Sequence, residues 1–300
     1  MPELPEVESI RRQLEPALVG RRFERVEIAD PRLVRPAEPA EVAAELEGER
    51  VAAVERRGKY LVVRFQSGRV LLIHLRMTGS LRHTPSGSLQ DEPHRRAVVR
   101  LDDGSSVTYR DVRRFGTWLL LEPGEAGPYI DARVGEEPLE PAFTPSRLGG
   151  RLARRHAAVK AVLLDQRTLA GLGNIYADEA LWRARIHPLR PASDLDRNEL
   201  RRLHRGIRAA LAHGLERQGS TLRDYRLPDG GSGTMQDEFR VYGRGGEPCD
   251  RCDAPIAKTR VAGRGTWYCP TCQTLDGDAQ AGAPRSRSSS PSRSRRQSSA

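Results

Sequence analysis

Cys249-Asp250-Arg251-Cys252 and Cys269-Pro270-Thr271-Cys272 are the stretches that say most about how this chain folds. In each stretch two residues separate two cysteines, and sixteen residues lie between the pairs. Two pairs at this separation can close a tetrahedral zinc site on two hairpin turns, and their clustering argues against a disulfide framework. Four sulfur ligands leave no open position for water, so the predicted role of the metal is structural. We predict one Zn2+ per chain, held by Cys249, Cys252, Cys269 and Cys272.

Two further motifs could contact phosphate groups. Arg264 lies at the predicted tip of the hairpin between the cysteine pairs, where a guanidinium could bind a phosphate in bidentate fashion. Gly171-Leu172-Gly173-Asn174 precedes a predicted helix, and the free N–H groups of a helix N-terminus suit anions. Charges on turns are often only solvated, and Asn is an ordinary helix cap, so neither motif is decisive by itself.

The chain is strongly basic, with 50 Lys and Arg residues against 40 Asp and Glu residues, a formal charge of +10 and a pI near 10.0. Residues 275–300 hold five arginines and two aspartates, so most of the excess lies outside this stretch. A basic protein favours a polyanionic partner, nucleic acid first and a membrane surface second. No apolar run approaches the roughly 20 residues of a membrane span, and no signal-peptide pattern is present. These features predict a cytoplasmic protein without a membrane partner.

Apolar periodicity predicts a first domain in which a helix precedes a series of strands. An amphipathic helix is predicted to begin almost at the first residue. Its apolar stripe consists of Val7, Ile10, Leu14 and Leu18. From residue 23 to 121, short β runs alternate with Gly, Asp and Ser turns, which predicts a β-sandwich or barrel. We place this domain at residues 1–131 and a linker at 132–143.

The second half of the chain reads as helical before the cysteine module. Start signals at Thr144-Pro145 and Ser193-Asp194 predict helices within a domain at residues 144–236. The last part of this domain, 219–236, contains Gly-Gly-Ser-Gly and no periodicity, which predicts a flexible loop. The zinc module then covers residues 237–273, and the Ser- and Arg-rich segment 274–300 is expected to be disordered.

The N-terminus offers unusual chemistry. Met1 precedes the small residue Pro2, so removal of Met1 is expected and would leave a secondary amine. An α-amino group has a far lower pKa than a lysine, and a secondary amine condenses with an aldehyde to an iminium. Glu3 and Glu6 follow within one helical turn and could transfer protons. Acidic residues are also ordinary in first turns, and these residues alone favour that interpretation.

Three motifs, in this order along the chain, resemble formamidopyrimidine-DNA glycosylases. They are Met-Pro-Glu-Leu-Pro-Glu-Val-Glu at 1–8, Gly-Leu-Gly-Asn-Ile-Tyr-Ala-Asp-Glu at 171–179, and the four-cysteine module. The resemblance covers residues 2 to about 273. It implies an α+β multidomain fold: an N-terminal β-sandwich with a leading helix, a helix-two-turns-helix domain and a C-terminal zinc-finger β-hairpin. It also implies a monomeric glycosylase and AP lyase that acts on double-stranded DNA containing oxidised bases or abasic sites.

The resemblance assigns roles that the local context of each residue does not. Pro2 is implied as the Schiff-base nucleophile and Glu3 as a proton donor, with Glu6 in support. Lys59, by its context an ordinary strand-start lysine, is implied as the proton donor for β-elimination, and Arg264 for δ-elimination. The implied DNA contacts are His94, Arg113, Lys160, Asn174 and Arg264.

An enzyme that acts on a base in a duplex extrudes that nucleotide and fills the hole with apolar or planar side chains. The implied fillers are Met77, Arg113 and Phe115, although core packing would ordinarily explain Met77 and Phe115. The sequence departs from the usual family pattern at Arg76, Val112 and Thr234-Met235, where Gly, Pro and an aromatic pair are common. We expect the first two to affect loop stiffness and phosphate contact, and the third to affect which lesion is accepted.

The resemblance also bears on the substrate. Leu4 and the loop at 219–236 favour the branch that removes oxidised purines, namely 8-oxoguanine and formamidopyrimidines, over its sister, the endonuclease VIII type. Cleavage of the strand by β,δ-elimination through the Pro2 imine is implied with it. Two alternatives are left open by the sequence: a glycosylase for oxidised pyrimidines, and a catalytically silent zinc-finger protein that binds damaged DNA.

Overall fold

The computed structural model describes residues 1–85 and 93–275, so most of the segment expected to be disordered lies outside the described residues. The α-helices are α1 (Leu4–Leu18), α2 (Pro39–Leu46), α3 (Ala126–Asp131), α4 (Pro145–Leu152), α5 (Val159–Leu164), α6 (Asn174–Ala184) and α7 (Arg197–Glu216). The strands are β1 (Phe23–Ile28), β2 (Val51–Arg57), β3 (Tyr60–Phe65), β4 (Val70–His74), β5 (Gly79–Thr84), β6 (Arg95–Leu101), β7 (Ser106–Asp111), β8 (Thr117–Leu121), β9 (Ala257–Val261) and β10 (Arg264–Tyr268).

Two antiparallel four-stranded sheets form the predicted β-sandwich. Their strand orders are β1-β6-β7-β5 and β2-β3-β4-β8. The apolar stripe of α1 is buried in the same core as the inner faces of the strands. The predicted helix, its apolar face and the sandwich are therefore confirmed.

The start of α1 lies at the junction of two cores. Leu4 packs with the helical domain, whereas Val7 and the residues that follow it on the stripe pack with the sandwich. The backbone N–H of Leu4 donates to the carbonyl of Gly171 at 2.9 Å. A Cβ at Gly171 would lie 2.6 Å from the Leu4 Cβ, so only glycine allows this approach. The chain terminus is thereby fixed between the two domains.

Helices α4 to α7 enclose the second core. The cap predicted at Thr144 is confirmed, because its side chain accepts from the N–H of Arg147 at 3.3 Å. The start predicted at Ser193-Asp194 is wrong: a short 3-10 turn, Ala192–Asp194, precedes α7. Asp196 caps α7 instead, with its carboxylate accepting from two backbone N–H groups. Among the described residues, no helix combines the length and the apolar character that a membrane crossing requires.

The loop at 219–236 was expected to be flexible, and the structure shows that it packs instead. Tyr225 and Leu227 are buried in the sandwich core, although the loop leaves the helical domain. His83 of β5 donates its backbone N–H to the carbonyl of Pro228 at 2.9 Å. Two apolar side chains in a glycine-rich segment give no periodic signal, so a long-range contact of this kind escapes local sequence patterns.

Candidate active site and zinc centre

A cavity of about 350 Å³ lies where the two domains meet, and Pro2 lines it. The sandwich domain contributes Met77 and Arg113 to the wall, and the loop contributes residues from 220 to 225. The volume falls within the range of small-molecule sites, and polar and apolar groups share the lining. The predicted nucleophile therefore faces a cavity that both domains and the packed loop line together.

The carboxylate of Glu3 is bound by the N-terminus of α6. Gly173 and Ile175 donate their backbone N–H groups to it at 2.7 and 2.9 Å. A Cβ at Gly173 would lie 2.3 Å from the Glu3 carboxyl carbon, so this turn also needs glycine. The expectation of a phosphate on these N–H groups is corrected: the anion that they hold is Glu3.

Burial raises the pKa of Glu3 above its ordinary value, while the Lys59 ammonium opposes the shift and the neighbouring Glu6 carboxylate adds to it. A carboxyl group with a raised pKa keeps its proton closer to neutral pH. Such a group suits a proton donor beside a reacting centre.

Glu6 connects three segments around the cavity. Its carboxylate accepts from the Tyr176 hydroxyl at 2.9 Å, from the Ser220 N–H at 2.8 Å and from the Glu3 N–H at 2.8 Å. The first turn of α1, helix α6 and the start of the loop are thus tied to one side chain. Sequence patterns pointed to Glu6 but missed Ser220, which lies 214 positions away from it.

Lys59 lies at the tip of the hairpin between β2 and β3. Arg57 pairs with Tyr60, which leaves Gly58 and Lys59 as a two-residue loop, and Gly58 has a φ of +57°. The Lys59 side chain is buried, and this desolvation lowers its pKa, against the opposing charges of Glu3 and Glu6. A buried lysine with two carboxylates nearby is unusual for a strand-start residue, which favours the functional interpretation.

The predicted void-filling side chains lie at the surface around the cavity. Phe115 is 51% exposed, and the Arg113 guanidinium stacks over its ring at 4.7 Å. Met77 is half-buried and lines the cavity. Core packing therefore does not explain Phe115, and its exposed ring is accessible to another molecule.

Asp111 holds the two loops that carry these side chains. Its carboxylate accepts from the backbone N–H of Arg113 at 3.2 Å and of Gly116 at 2.8 Å, and from the Thr78 hydroxyl. Its own N–H donates to the carbonyl of His94, whose side chain is exposed. Sequence reasoning missed Asp111, although it immediately precedes the segment that the resemblance singled out.

Two of the three departures from the family pattern have a structural consequence. Arg76, where glycine is common, has a φ of +54°, and its N–H donates to His74 Nδ1 at 3.0 Å. Met235 is fully buried in the core of the helical domain and does not line the cavity. The expected effect of Met235 on lesion choice can therefore only be indirect. Nothing in the structure explains Val112.

The zinc hairpin presents Arg264 at the surface, and beneath it lie the half-buried Asn174 and the buried Lys160. Asn174 Nδ2 and Lys160 Nζ both donate to the carbonyl of Gly265, at 3.0 and 3.1 Å. Lys160 is fully buried, and its Nζ lies 2.7 Å from Asp178 Oδ1. The Lys160 side chain has no exposed surface in this structure and supports the hairpin that carries Arg264, so its predicted contact with DNA stays a prediction.

The four cysteines fit a zinc ion. Their Sγ atoms all lie within 4.8 Å of one another, and Cys252 Sγ lies 3.4 Å from Cys269 Sγ. A tetrahedral site with Zn–S bonds of about 2.3 Å needs sulfur separations of about 3.8 Å. Trp182 donates its indole N–H to Cys249 Sγ at 3.4 Å, an outer contact that orients a ligand. The module is one structural zinc site. Its four cysteines stabilise the hairpin and do not line the cavity.

A sandwich and a helical domain that meet at a cavity, with a zinc hairpin presenting arginine beside it, define the class of zinc-finger DNA glycosylases. Three family profiles match in chain order: Formamidopyrimidine-DNA glycosylase N-terminal domain at residues 1–118, Formamidopyrimidine-DNA glycosylase H2TH domain at 134–226, and Zinc finger found in FPG and IleRS at 246–275. The chain belongs to the formamidopyrimidine-DNA glycosylase family and is a DNA glycosylase of base excision repair.

Related sequences and solved structures are similar to this chain over nearly its whole length. The formamidopyrimidine-DNA glycosylase of Roseiflexus sp. is 52% identical over 91% of this chain and 100% of its own length. A Lactococcus lactis family member, solved as a mutant with DNA containing Fapy-dG, has a TM-score of 0.85 and 39% identity over 91% of this chain and 100% of its own. The protein of Thermus thermophilus has a TM-score of 0.81 and 45% identity, over 91% of this chain and 98% of its own.

Proposed function

We propose that this chain removes oxidised purines from double-stranded DNA and cleaves the strand, with Pro2 as the nucleophile. The observation that carries the proposal is the position of Pro2 in a cavity between the domains, next to a buried carboxyl group with a raised pKa. Once Met1 is removed, the Pro2 nitrogen forms a bond to the sugar C1′ as the bond from C1′ to the base breaks. Breaking the bond from C1′ to the ring oxygen O4′, with a proton passing to O4′, then opens the sugar and gives an iminium between Pro2 and C1′. This iminium is an electron sink that makes the C2′ hydrogen acidic and, once the 3′ phosphate has left, the C4′ hydrogen as well, so that both flanking phosphates are lost by elimination.

Each proton transfer has a candidate donor in the structure. Glu3 protonates the sugar ring oxygen as the ring opens, and Glu6 holds Glu3 and the loop in place. Lys59 serves β-elimination and Arg264 serves δ-elimination, which together leave a one-nucleotide gap flanked by phosphates. Support for these two roles is that Lys59 is buried near Glu3 and that Arg264 is exposed on the zinc hairpin.

The partner is a duplex whose damaged nucleotide is extruded into the cavity. Met77, Arg113 and Phe115 fill the space that it leaves, and His94, Arg113, Asn174 and Arg264 contact the DNA. The exposure of Phe115 and Arg113 supports this assignment, as does the basic charge of the chain. The residues that line this cavity all belong to one chain, so we propose a monomer that works on the chromosome in the cytoplasm.

The substrate class can be tested by single-turnover excision. We expect faster removal of 8-oxoguanine opposite cytosine than of thymine glycol, and a preference for thymine glycol would overturn the purine assignment. The comparison matters because one Lactococcus lactis relative was solved with DNA containing an oxidised pyrimidine.

Intact mass measurement of the purified protein should show loss of Met1; retention of Met1 would block the amine.

A further inference from the structure

The carboxylate of Glu137, in the linker, binds the hairpin tip that carries Lys59. Gly58 donates its backbone N–H to Glu137 Oε1 at 2.6 Å. Arg57 Nη1 lies 2.9 Å from Oε1, and Arg56 Nη1 lies 3.0 Å from Oε2. The Glu137 side chain is only 11% exposed, so these hydrogen bonds and ion pairs are shielded from water. Two hydrogen-bond donors, the Gly58 N–H and Arg56 Nη1, and the ion-paired guanidinium of Arg57 converge on this carboxylate.

The hairpin tip is also packed closely against the segment that precedes Glu137. A Cβ on Gly58 would lie 3.1 Å from Val134 Cγ1 and 3.5 Å from the Gly171 nitrogen. Arg57 Nη2 donates to the carbonyl of Gly135 at 2.8 Å. The direction in which the tip presents Lys59 toward Glu3 therefore depends on the linker as well as on the sandwich.

The neighbouring residue, Glu136, faces the other domain. Its carboxylate accepts from Arg147 at 2.9 Å and from Arg151 at 3.0 Å, both on α4. Its carbonyl accepts from the N–H of Ala170 at 2.8 Å. Two adjacent carboxylates thus fasten one linker to two domains, and only Glu137 reaches the hairpin tip.

We propose that Glu137 is a positioning residue that sets the place of the Lys59 ammonium during strand cleavage. The proposal rests on the proposed function of Lys59 in β-elimination. A carboxylate that fixes both the N–H of Gly58 and the guanidinium of Arg57 limits the rotation of the two-residue loop. Small displacements of a reacting group lower rates steeply.

The test is the single-turnover rate of strand cleavage at a preformed abasic site. Glu137→Gln should lower this rate about tenfold, with Kd for a tetrahydrofuran-site duplex within about twofold of wild type. Glu136→Gln is the matched control, because it removes the neighbouring carboxylate and leaves the hairpin tip bound. Glu137→Asp keeps the charge with a shorter reach and should give an intermediate rate. Wild-type cleavage by both Glu137 variants, or an equal loss in Glu136→Gln, would overturn the proposal.

A double variant separates positioning from a general structural role. If Glu137 acts through Lys59, then adding Glu137→Gln to Lys59→Ala should cause no further loss of cleavage. An additional tenfold loss in that background would overturn the proposal. If Lys59→Ala alone leaves cleavage unchanged, the proposed function of Lys59 fails, which is a different outcome from failure of Glu137→Gln alone.

Discussion

Glu3 shows how a single carboxylate can serve both the fold and the proposed chemistry. Its carboxylate oxygens accept from the N-terminus of α6, an interaction that favours the charged form. Its burial acts in the opposite direction and prevails, since the pKa of the group is raised. The same contacts fix the carboxyl next to Pro2, so the position of the proposed acid does not depend on substrate.

We predict that Glu3→Gln lowers single-turnover excision of 8-oxoguanine by about 100-fold or more, because an amide cannot replace a carboxylic acid as proton donor. Since the protonated form is the donor, wild-type excision should fall as pH rises through the raised pKa of Glu3, and the variant should lack this limb. Glu15→Gln is the control, because Glu15 lies on the exposed side of α1 in an ion pair with Arg11. An equal loss in both variants would show that the effect is not specific to the site.

At the scale of elements, the sequence predicted the helices, strands and metal site that depend on residues close together in the chain. The stripe on α1, the alternation of short strands and the spacing of the cysteines each follow from residues close together in the chain. The contacts of Glu3 with α6 could not be found in this way, because they join residues 170 and 172 positions apart. The burial of Lys160 under the hairpin and the packing of the loop at 219–236 were missed for the same reason.

The loop at residues 113–115 gives the element-scale prediction. Phe115→Ala should change the free energy of unfolding by no more than about 0.5 kcal/mol, because the ring is 51% exposed. Excision from duplex DNA should fall at least about tenfold, since separating stacked bases costs a few kcal/mol that the ring helps to offset.

Leu189→Ala is the matched control for this loop, because Leu189 is also a large exposed apolar side chain, at 41%. Thermal unfolding and single-turnover excision of both variants give the comparison. Unchanged excision in Phe115→Ala would remove this residue from the proposed void-filling group.

At the scale of the whole molecule, the function depends on what the two domains build together. Leu4 packs in the core of the helical domain, while the apolar stripe of α1 packs in the sandwich core. The loop at 219–236 follows the last helix of the helical domain, yet its Tyr225 and Leu227 pack in the sandwich core. Residues of both domains and of this loop line the cavity. A motif-by-motif interpretation could name the residues but could not derive the cavity, since its walls come from distant parts of the chain.

The Ser- and Arg-rich segment gives a prediction for the whole chain. It contributes five arginines, and each phosphate that a protein neutralises releases counterions. Truncation after Gln273 should weaken the salt dependence of DNA binding. The slope of log association constant against log salt concentration should become less steep by roughly 0.9 for each lost phosphate contact. Single-turnover excision at saturating protein should not change. An unchanged slope in a salt titration of DNA affinity would exclude a role for this segment in binding.

Borohydride trapping tests the central claim, that Pro2 forms an imine with damaged DNA, most directly. Borohydride reduces an iminium to a stable amine, so wild-type protein and 8-oxoguanine duplex should give a covalent complex. Peptide mapping should place the DNA on the N-terminal proline. Pro2→Gly should give a much lower yield on the same duplex. No covalent complex with protein that has lost Met1, or an equal yield at another residue after Pro2→Gly, would contradict the account.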